Sequence, residues 1–198
     1  MIDWITKIGK NYPEFWQKYI SKFDKKTTRF VAISLETSGL NANENVILGL
    51  SGFGIYNNAI ILSDSIEIEI FQPKYFRTID NKEEYLVSDF SSKKPEPQAI
   101  QLFIEYIENA VLVGHHIHYD VDIINKALEN LGCGRLKNEA LDVEIMHRKL
   151  HDINDKEFQL NALCKIYNVP DNQRISASEE SYKIGLLFLK LKARLGIE

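Results

Sequence analysis

Residues 30–40 read Phe30-Val31-Ala32-Ile33-Ser34-Leu35-Glu36-Thr37-Ser38-Gly39-Leu40. An apolar, β-prone run ends in an acid, and polar residues and a glycine then turn the chain. Such a run predicts a buried strand that delivers Glu36 to a cleft, with the backbone of Thr37, Ser38 and Gly39 opened beside it. Side chains two apart on a strand share a face. Ser34 therefore stands next to Glu36, and it is a neutral hydroxyl.

Working outward, the runs 45–56 and 59–71 continue the β pattern, with Tyr56-Asn57-Asn58-Ala59 as the hairpin turn between them. The alternation Ile66-Glu67-Ile68-Glu69-Ile70 predicts a half-solvated antiparallel strand. Residues 72–97 are polar and carry Pro73, Pro95 and Pro97, which predicts a long loop or lid with some helix. Helical spacing follows at 97–109, 121–131, 142–150, 159–167 and 177–195, with a short buried strand at 110–113 ended by Gly114. An antiparallel meander followed by alternating helices and strands is an α/β fold with a mixed sheet. Residues 1–28 form an N-terminal helical appendage, and residues 29–198 the main domain. Phe15, Trp16, Tyr19 and Phe23 give the appendage an aromatic stripe, which either docks on the core or binds a protein partner.

Composition narrows the function classes. The chain has 198 residues, 44% of them hydrophobic, and a formal net charge of -4. That charge gives no global pull toward nucleic acid, although it leaves room for a local basic groove. Cys133 and Cys164 make neither a disulfide framework nor a zinc pattern, so a reducing cytoplasm is the expected compartment. No apolar run approaches membrane-spanning length, so no membrane association is expected.

Two further stretches combine acids or histidines with a break in structure. One is Gly114-His115-His116-Ile117-His118-Tyr119-Asp120; the other is Ile175-Ser176-Ala177-Ser178-Glu179-Glu180-Ser181. Taken alone, Asp120, Glu179 and Glu180 are equally explained as first-turn helix acids.

Taken together and in order, the three stretches resemble the DEDDh-type 3′–5′ exonucleases. These belong to the ribonuclease H-like superfamily that includes the DNA polymerase III epsilon subunit. The family's strand motif Asp-x-Glu-Thr-Thr-Gly-Leu is matched by 34–40, its Gly-His motif by 114–120, its Leu-Asp-Thr helix start by Leu141-Asp142-Val143, and its His-x-Ala-x-x-Asp motif by 175–180. The resemblance covers about residues 30–195 and implies a ribonuclease H-like mixed sheet. It implies Glu36, Asp120 and Glu180 as the catalytic and metal-binding acids, for Mg²⁺ or Mn²⁺. It also implies Thr37, Gly39, Leu40, His116 and Tyr119 as contacts to the 3′ end of a single-stranded DNA or RNA.

The family clamps two ions on the scissile phosphodiester. Here Ser34 stands for the Asp that bridges them, Ile175 for the histidine base, and Glu180 for the final Asp. Loss of a general base alone slows such a step about 10²–10⁴-fold. The expectation is weak metal binding and weak or lost catalysis. Two alternatives stay open: an active, rearranged site using His115, His116 or His118 as proton acceptor, and an interaction protein acting through the N-terminal helix. Arg148, Lys149, Arg174 and Lys183 are candidates for a phosphate-facing rim. Lys190, Lys192 and Arg194 suit the C-terminal end of the last helix.

Overall fold

A computed structural model describes residues 12–73, 92–170 and 176–197. In chain order the elements are α1 (Glu14–Ser21) with a following 3₁₀ turn (Lys22–Asp24), β1 (Phe30–Thr37), β2 (Ile47–Tyr56), β3 (Ala59–Phe71), β4 (Lys94–Pro95), α2 (Glu96–Ile107), β5 (Val111–Gly114), α3 (Ile117–Asn130), β6 (Ala140–Asp142), α4 (Val143–His151), α5 (Leu160–Ile166) and α6 (Ala177–Leu195). The strands form one six-stranded sheet in the order β4-β3-β2-β1-β5-β6. Strands β1, β2 and β3 are antiparallel neighbours, and β5 and β6 add to β1 in parallel. This is the expected mixed-sheet α/β architecture. The two-residue β4, parallel to β3, lies in the stretch 72–97 that reads as a loop or lid with some helix, and the strand is not foreseen there. Residues 74–91 of that expected lid lie outside the described residues.

The meander forms for the reasons its sequence gives. Asn57 and Asn58 take φ of 49° and 59°, the paired left-handed geometry of a tight hairpin turn that matches strand twist. On β3, Ile68 and Ile70 are buried while Glu67 and Glu69 are exposed. At the other end of the meander, the β1–β2 loop is tied to itself. The Ser38 amide donates to the Val46 carbonyl, and the Val46 amide donates to Ser38 Oγ.

Helices cover both faces. One face holds α1, α2 and α3 over Val31, Ile33, Leu50 and Leu112. Helix α2 buries Ala99, Ile100, Phe103, Ile104 and Ile107 there. Each larger side chain among these contributes about 1.5–3 kcal/mol relative to exposure. Helix α1 joins the same core: Trp16 and Tyr19 are buried, and Phe15 and Phe23 pack against it. Tyr19 Oη also donates to Asn138 Oδ1 at 2.7 Å, which fixes the helix across the sheet edge. The aromatic stripe is therefore turned inward.

The second face holds α4, α5 and α6 over Ala32, Ile55 and Val113. Helix α6 comes closest at Gly185, where a Cβ would stand 3.0 Å from Ile60 and 3.4 Å from Ala32. Ser34, Glu36 and Ser51 look toward this helix, so α6 and the ends of β1 and β5 position the candidate site.

Candidate active site

Helix α3 starts at Ile117, four residues before the periodic stretch 121–131 begins. His116 takes a left-handed φ of 52° and turns the chain out of β5. Gly114 permits the turn, because a Cβ there would come within 2.8 Å of the Ile117 side chain. No side chain of the local sequence caps the helix. Asp142 does so from the neighbouring strand: Oδ2 accepts the Ile117 amide at 3.1 Å, while Oδ1 accepts the Glu144 amide at 2.8 Å and starts α4. One buried carboxylate thus satisfies donors at two helix N-termini. The sequence signal was present in Leu141-Asp142-Val143, an acid before a helical pattern, but the second helix it serves is 25 residues away.

This start places Asp120 in the first turn of α3. Ser34, Leu40, His116, Tyr119, Asp120 and Glu180 line one cleft of about 460 Å³. Burial pushes the Asp120 carboxyl up to about 8, and the neighbouring charges of Glu180 and Asp142 push in the same direction. Asp120 and Glu180 thus face the same cleft, and their charges repel.

The other acids are engaged within the protein. Ser34 Oγ donates to Glu180 Oε2 at 3.0 Å. Glu36 Oε1 accepts the Ala177 amide at 2.9 Å, the first amide of α6, and its side chain lies over Gly49 of β2. Glu36 does not line the Asp120–Glu180 cleft. Behind these contacts, Ser51, opposite Ser34 in the sheet, makes a short buried hydrogen bond to Ser181. Ser181 Oγ itself donates to the Ser178 carbonyl at 3.0 Å, so the Ser51 hydroxyl supplies the proton of the shared bond.

The donor set does not fit the bridged pair of ions that the family resemblance implies. A neutral hydroxyl stands at the bridging position, and one oxygen each of Glu36 and Glu180 already has a protein donor. Among the described residues, no three or more His, Cys, Asp or Glu side chains are arranged to hold a metal ion. Ile175, which stands for the histidine base in the sequence, lies outside the described residues.

The remaining expected contacts divide. Leu40 and Tyr119 are exposed on the cleft rim. His116 lines the cleft, its ring edge-on to His115 at 4.1 Å between centroids. Thr37 turns inward, with Oγ1 donating to the Gly39 carbonyl at 2.9 Å, and Gly39 lies against Asn45 of the same loop. These two build the turn rather than the cleft wall. His115 donates through Nε2 to the Phe158 carbonyl at 2.7 Å, and burial pushes its pKa down. His118 also lines the cleft, with its ring 3.9 Å from that of Tyr119.

The expected basic rim is mostly spent. Arg148 pairs with buried Glu144 at 2.9 Å, and Lys183 is buried with Glu179 at 3.6 Å. Lys149 is exposed, and Arg174 lies outside the described residues. Glu157 and Gln159 also line the cleft. Glu157 sits in an irregular stretch with no periodicity to mark it, and Gln159 stands at the start of the periodic stretch 159–167, just before α5.

Comparison with known proteins gives no matching family model. A PolC-type DNA polymerase III from Halalkalibacterium halodurans is 29% identical over 143 residues, 72% of this chain and 10% of that protein. One from Pediococcus pentosaceus is 28% identical over 179 residues, 87% of this chain and 12% of that protein. The chain spans about a tenth of the length of the curated relatives it matches. Among solved structures, E. coli exonuclease I in complex with a dA16 oligonucleotide superposes with a TM-score of 0.64 at 13% identity, over 86% of this chain and 42% of that one. The zinc-bound form of the E. coli exonuclease I–ssDNA complex gives 0.68 at 11% identity. The chain is homologous to a segment of PolC-type DNA polymerase III and has the fold of exonuclease I. Both findings are consistent with the DEDD-type resemblance carried by the motifs. Among the described residues, no helix is long and apolar enough to cross a membrane.

Proposed function

We propose that residues 29–198 are a 3′–5′ exonuclease-type domain that holds the 3′ end of a single-stranded nucleic acid in the Asp120–Glu180 cleft, with hydrolysis weak or lost. Residues 1–28 are an N-terminal appendage, whose described part from residue 12 onward braces the domain. The observation that carries this is the bond from Ser34 to Glu180. The position where the family has a bridging carboxylate holds a hydroxyl, and that hydroxyl occupies an acid of the site. The bond of Glu36 to the Ala177 amide supports the same conclusion. Binding of Mg²⁺ or Mn²⁺ is weak and centres on Asp120 and Glu180. The exposed Leu40 and Tyr119 offer apolar surface to a splayed base, a contact that tolerates any sequence and does not need the metals.

The test is a degradation assay on end-labelled single-stranded DNA and RNA with Mg²⁺ and with Mn²⁺, run beside a binding assay on the same oligonucleotides. Binding without turnover is expected. Combining Ser34→Asp, Ile175→His and Glu180→Asp should raise turnover by at least the roughly 10²-fold that a general base supplies. Robust turnover in the unaltered protein that disappears in Glu36→Ala would overturn the proposal. Failure to bind any oligonucleotide would overturn its substrate half.

A further inference from the structure

At the opposite end of β1 from the cleft, Thr27, Thr28, Phe30, Tyr56, Asn58 and Lys192 line a second pocket of about 280 Å³. Lys192 is unusual among the basic residues of α6. Its position three residues before the helix end suggests a solvated cation stabilised by the helix dipole, yet it is only 8% exposed. Its ammonium reaches Asn58 Oδ1 at 2.9 Å and lies 5.7 Å from the centre of the Phe30 ring. Among the described residues it has no carboxylate partner.

That arrangement leaves a charge poorly compensated. An ammonium has three N–H donors, and one is met by Asn58. One amide oxygen and an aromatic ring 5.7 Å away meet only part of what the ammonium can bind, and an oxyanion in the pocket would supply the missing counter-charge. Among the described residues, Lys192 is also the only charged one lining the pocket.

The other polar groups are suited to the same missing partner. Thr27 Oγ1 accepts the Arg29 amide at 3.1 Å, which leaves its hydroxyl proton to donate. The left-handed Asn57–Asn58 turn holds the Asn58 side chain against Lys192, with the carbonyl oxygen toward the ammonium and the amide N–H groups free to donate. The volume lies just below the usual range of small-molecule pockets and leaves room for a small oxyanion with some of its hydration.

We infer that this pocket binds a small oxyanion, a phosphate or carboxylate group, with Lys192 as its counter-ion and Thr27 and Asn58 as hydrogen-bond donors. The site is independent of the exonuclease-type cleft. Nothing in it depends on Asp120 or Glu180.

The probes are inorganic phosphate and acetate, each titrated into the full chain against sodium chloride at matched ionic strength. Thermal unfolding and the Asn58 side-chain amide NMR signals are followed. At least one anion should raise the unfolding temperature beyond the chloride control and shift those signals. Phosphate alone, or both anions, supports the site and defines its selectivity. Lys192→Met removes the charge and keeps the stem, and should weaken binding by at least about 10-fold, the low end for a hydrogen bond to a charged group. Thr27→Val leaves the lysine in place and should weaken binding several-fold if Lys192→Met does not fold. The proposal is overturned if neither anion differs from chloride, or if the response persists unchanged in a folded Lys192→Met or in Thr27→Val. Persistence would place any binding at another site, such as the Asp120 cleft.

Discussion

The two faces of the sheet meet their helices with different chemistry. Under α1, α2 and α3, strand β1 presents Val31 and Ile33 to Trp16, Phe103 and Ile104, all almost fully buried. Under α6, the same strand presents Ala32 and then Ser34 and Glu36, and β2 presents Ser51. The first face is held by apolar area, which is non-directional and sums over many contacts. The second is held at the site end by a few directional bonds between hydroxyls, a carboxylate and a helix-end amide. The difference teaches where a polar side chain can change at little cost to the fold. Ser34 leaves the apolar face untouched, and its hydroxyl makes its own bond to Glu180.

The largest expected effect is on the apolar face. Trp16→Ala should cost about 3–5 kcal/mol in denaturant unfolding, the usual range for deleting a buried aromatic. A loss below about 1 kcal/mol would make α1 a detachable appendage and break the comparison. Next comes Asp142→Ala, which strands two helix-end donors. A cap is worth about 0.5–2 kcal/mol and a buried unsatisfied donor about 1–3, so about 2–3 kcal/mol in total is expected. Loss of α3 amide protection in hydrogen exchange would show that the bond to Ile117 is involved.

A third effect depends on pH. The folded-state pKa of Asp120, about 8, lies above its unfolded value near 3.8. Between these values the folded chain holds more protons than the unfolded one. The stability linked to this group is thus full below about pH 4 and is lost as pH rises through about 8. In chelator, Asp120→Asn should flatten that slope and unfold at least about 3 °C higher than the unaltered protein at pH 9, given about 2–4 °C per kcal/mol at this size. Equal slopes would show that Asp120 is ionised throughout.

The smallest effect sharpens the comparison on the polar face. Ser51→Ala should cost about 1 kcal/mol, and the double change with Ser181→Ala should cost less than the sum of the two single changes, because both remove the same shared bond. Additive losses in equilibrium unfolding would mean the two hydroxyls act separately.

Much of this frame was legible in the residues themselves. The β1–β3 meander is written in local alternation and in the Asn57–Asn58 turn, and Ala177–Leu195 in its helical period. These signals are short-range, so one sequence carries them. The early start of α3 was not legible, because its cap comes from Asp142 on another strand. The inward role of Thr37 was also hidden, since any threonine in a glycine turn looks available for a ligand until its hydrogen bond is seen. Bringing Asp120 and Glu180 into one cleft was legible through the family resemblance, whereas the pairing of Ser34 with Glu180 needed the approach of α6 over β1. The place of Lys192 in the last turn of α6 was legible, but its burial was not, because the burying wall comes from the β2–β3 hairpin 134 residues earlier.

Asp142 also bears on how the site could be rebuilt. Because one carboxylate fixes the first turns of both α3 and α4, Asp120 cannot be slid toward a new ligand geometry without dragging a second helix with it. The acid on α3 is an anchored datum. Adjustment is left to the opposing wall, where Glu36 and Glu180 hang from single bonds, and a selection for higher nuclease activity should accumulate its substitutions on β1 and α6 before it touches α3.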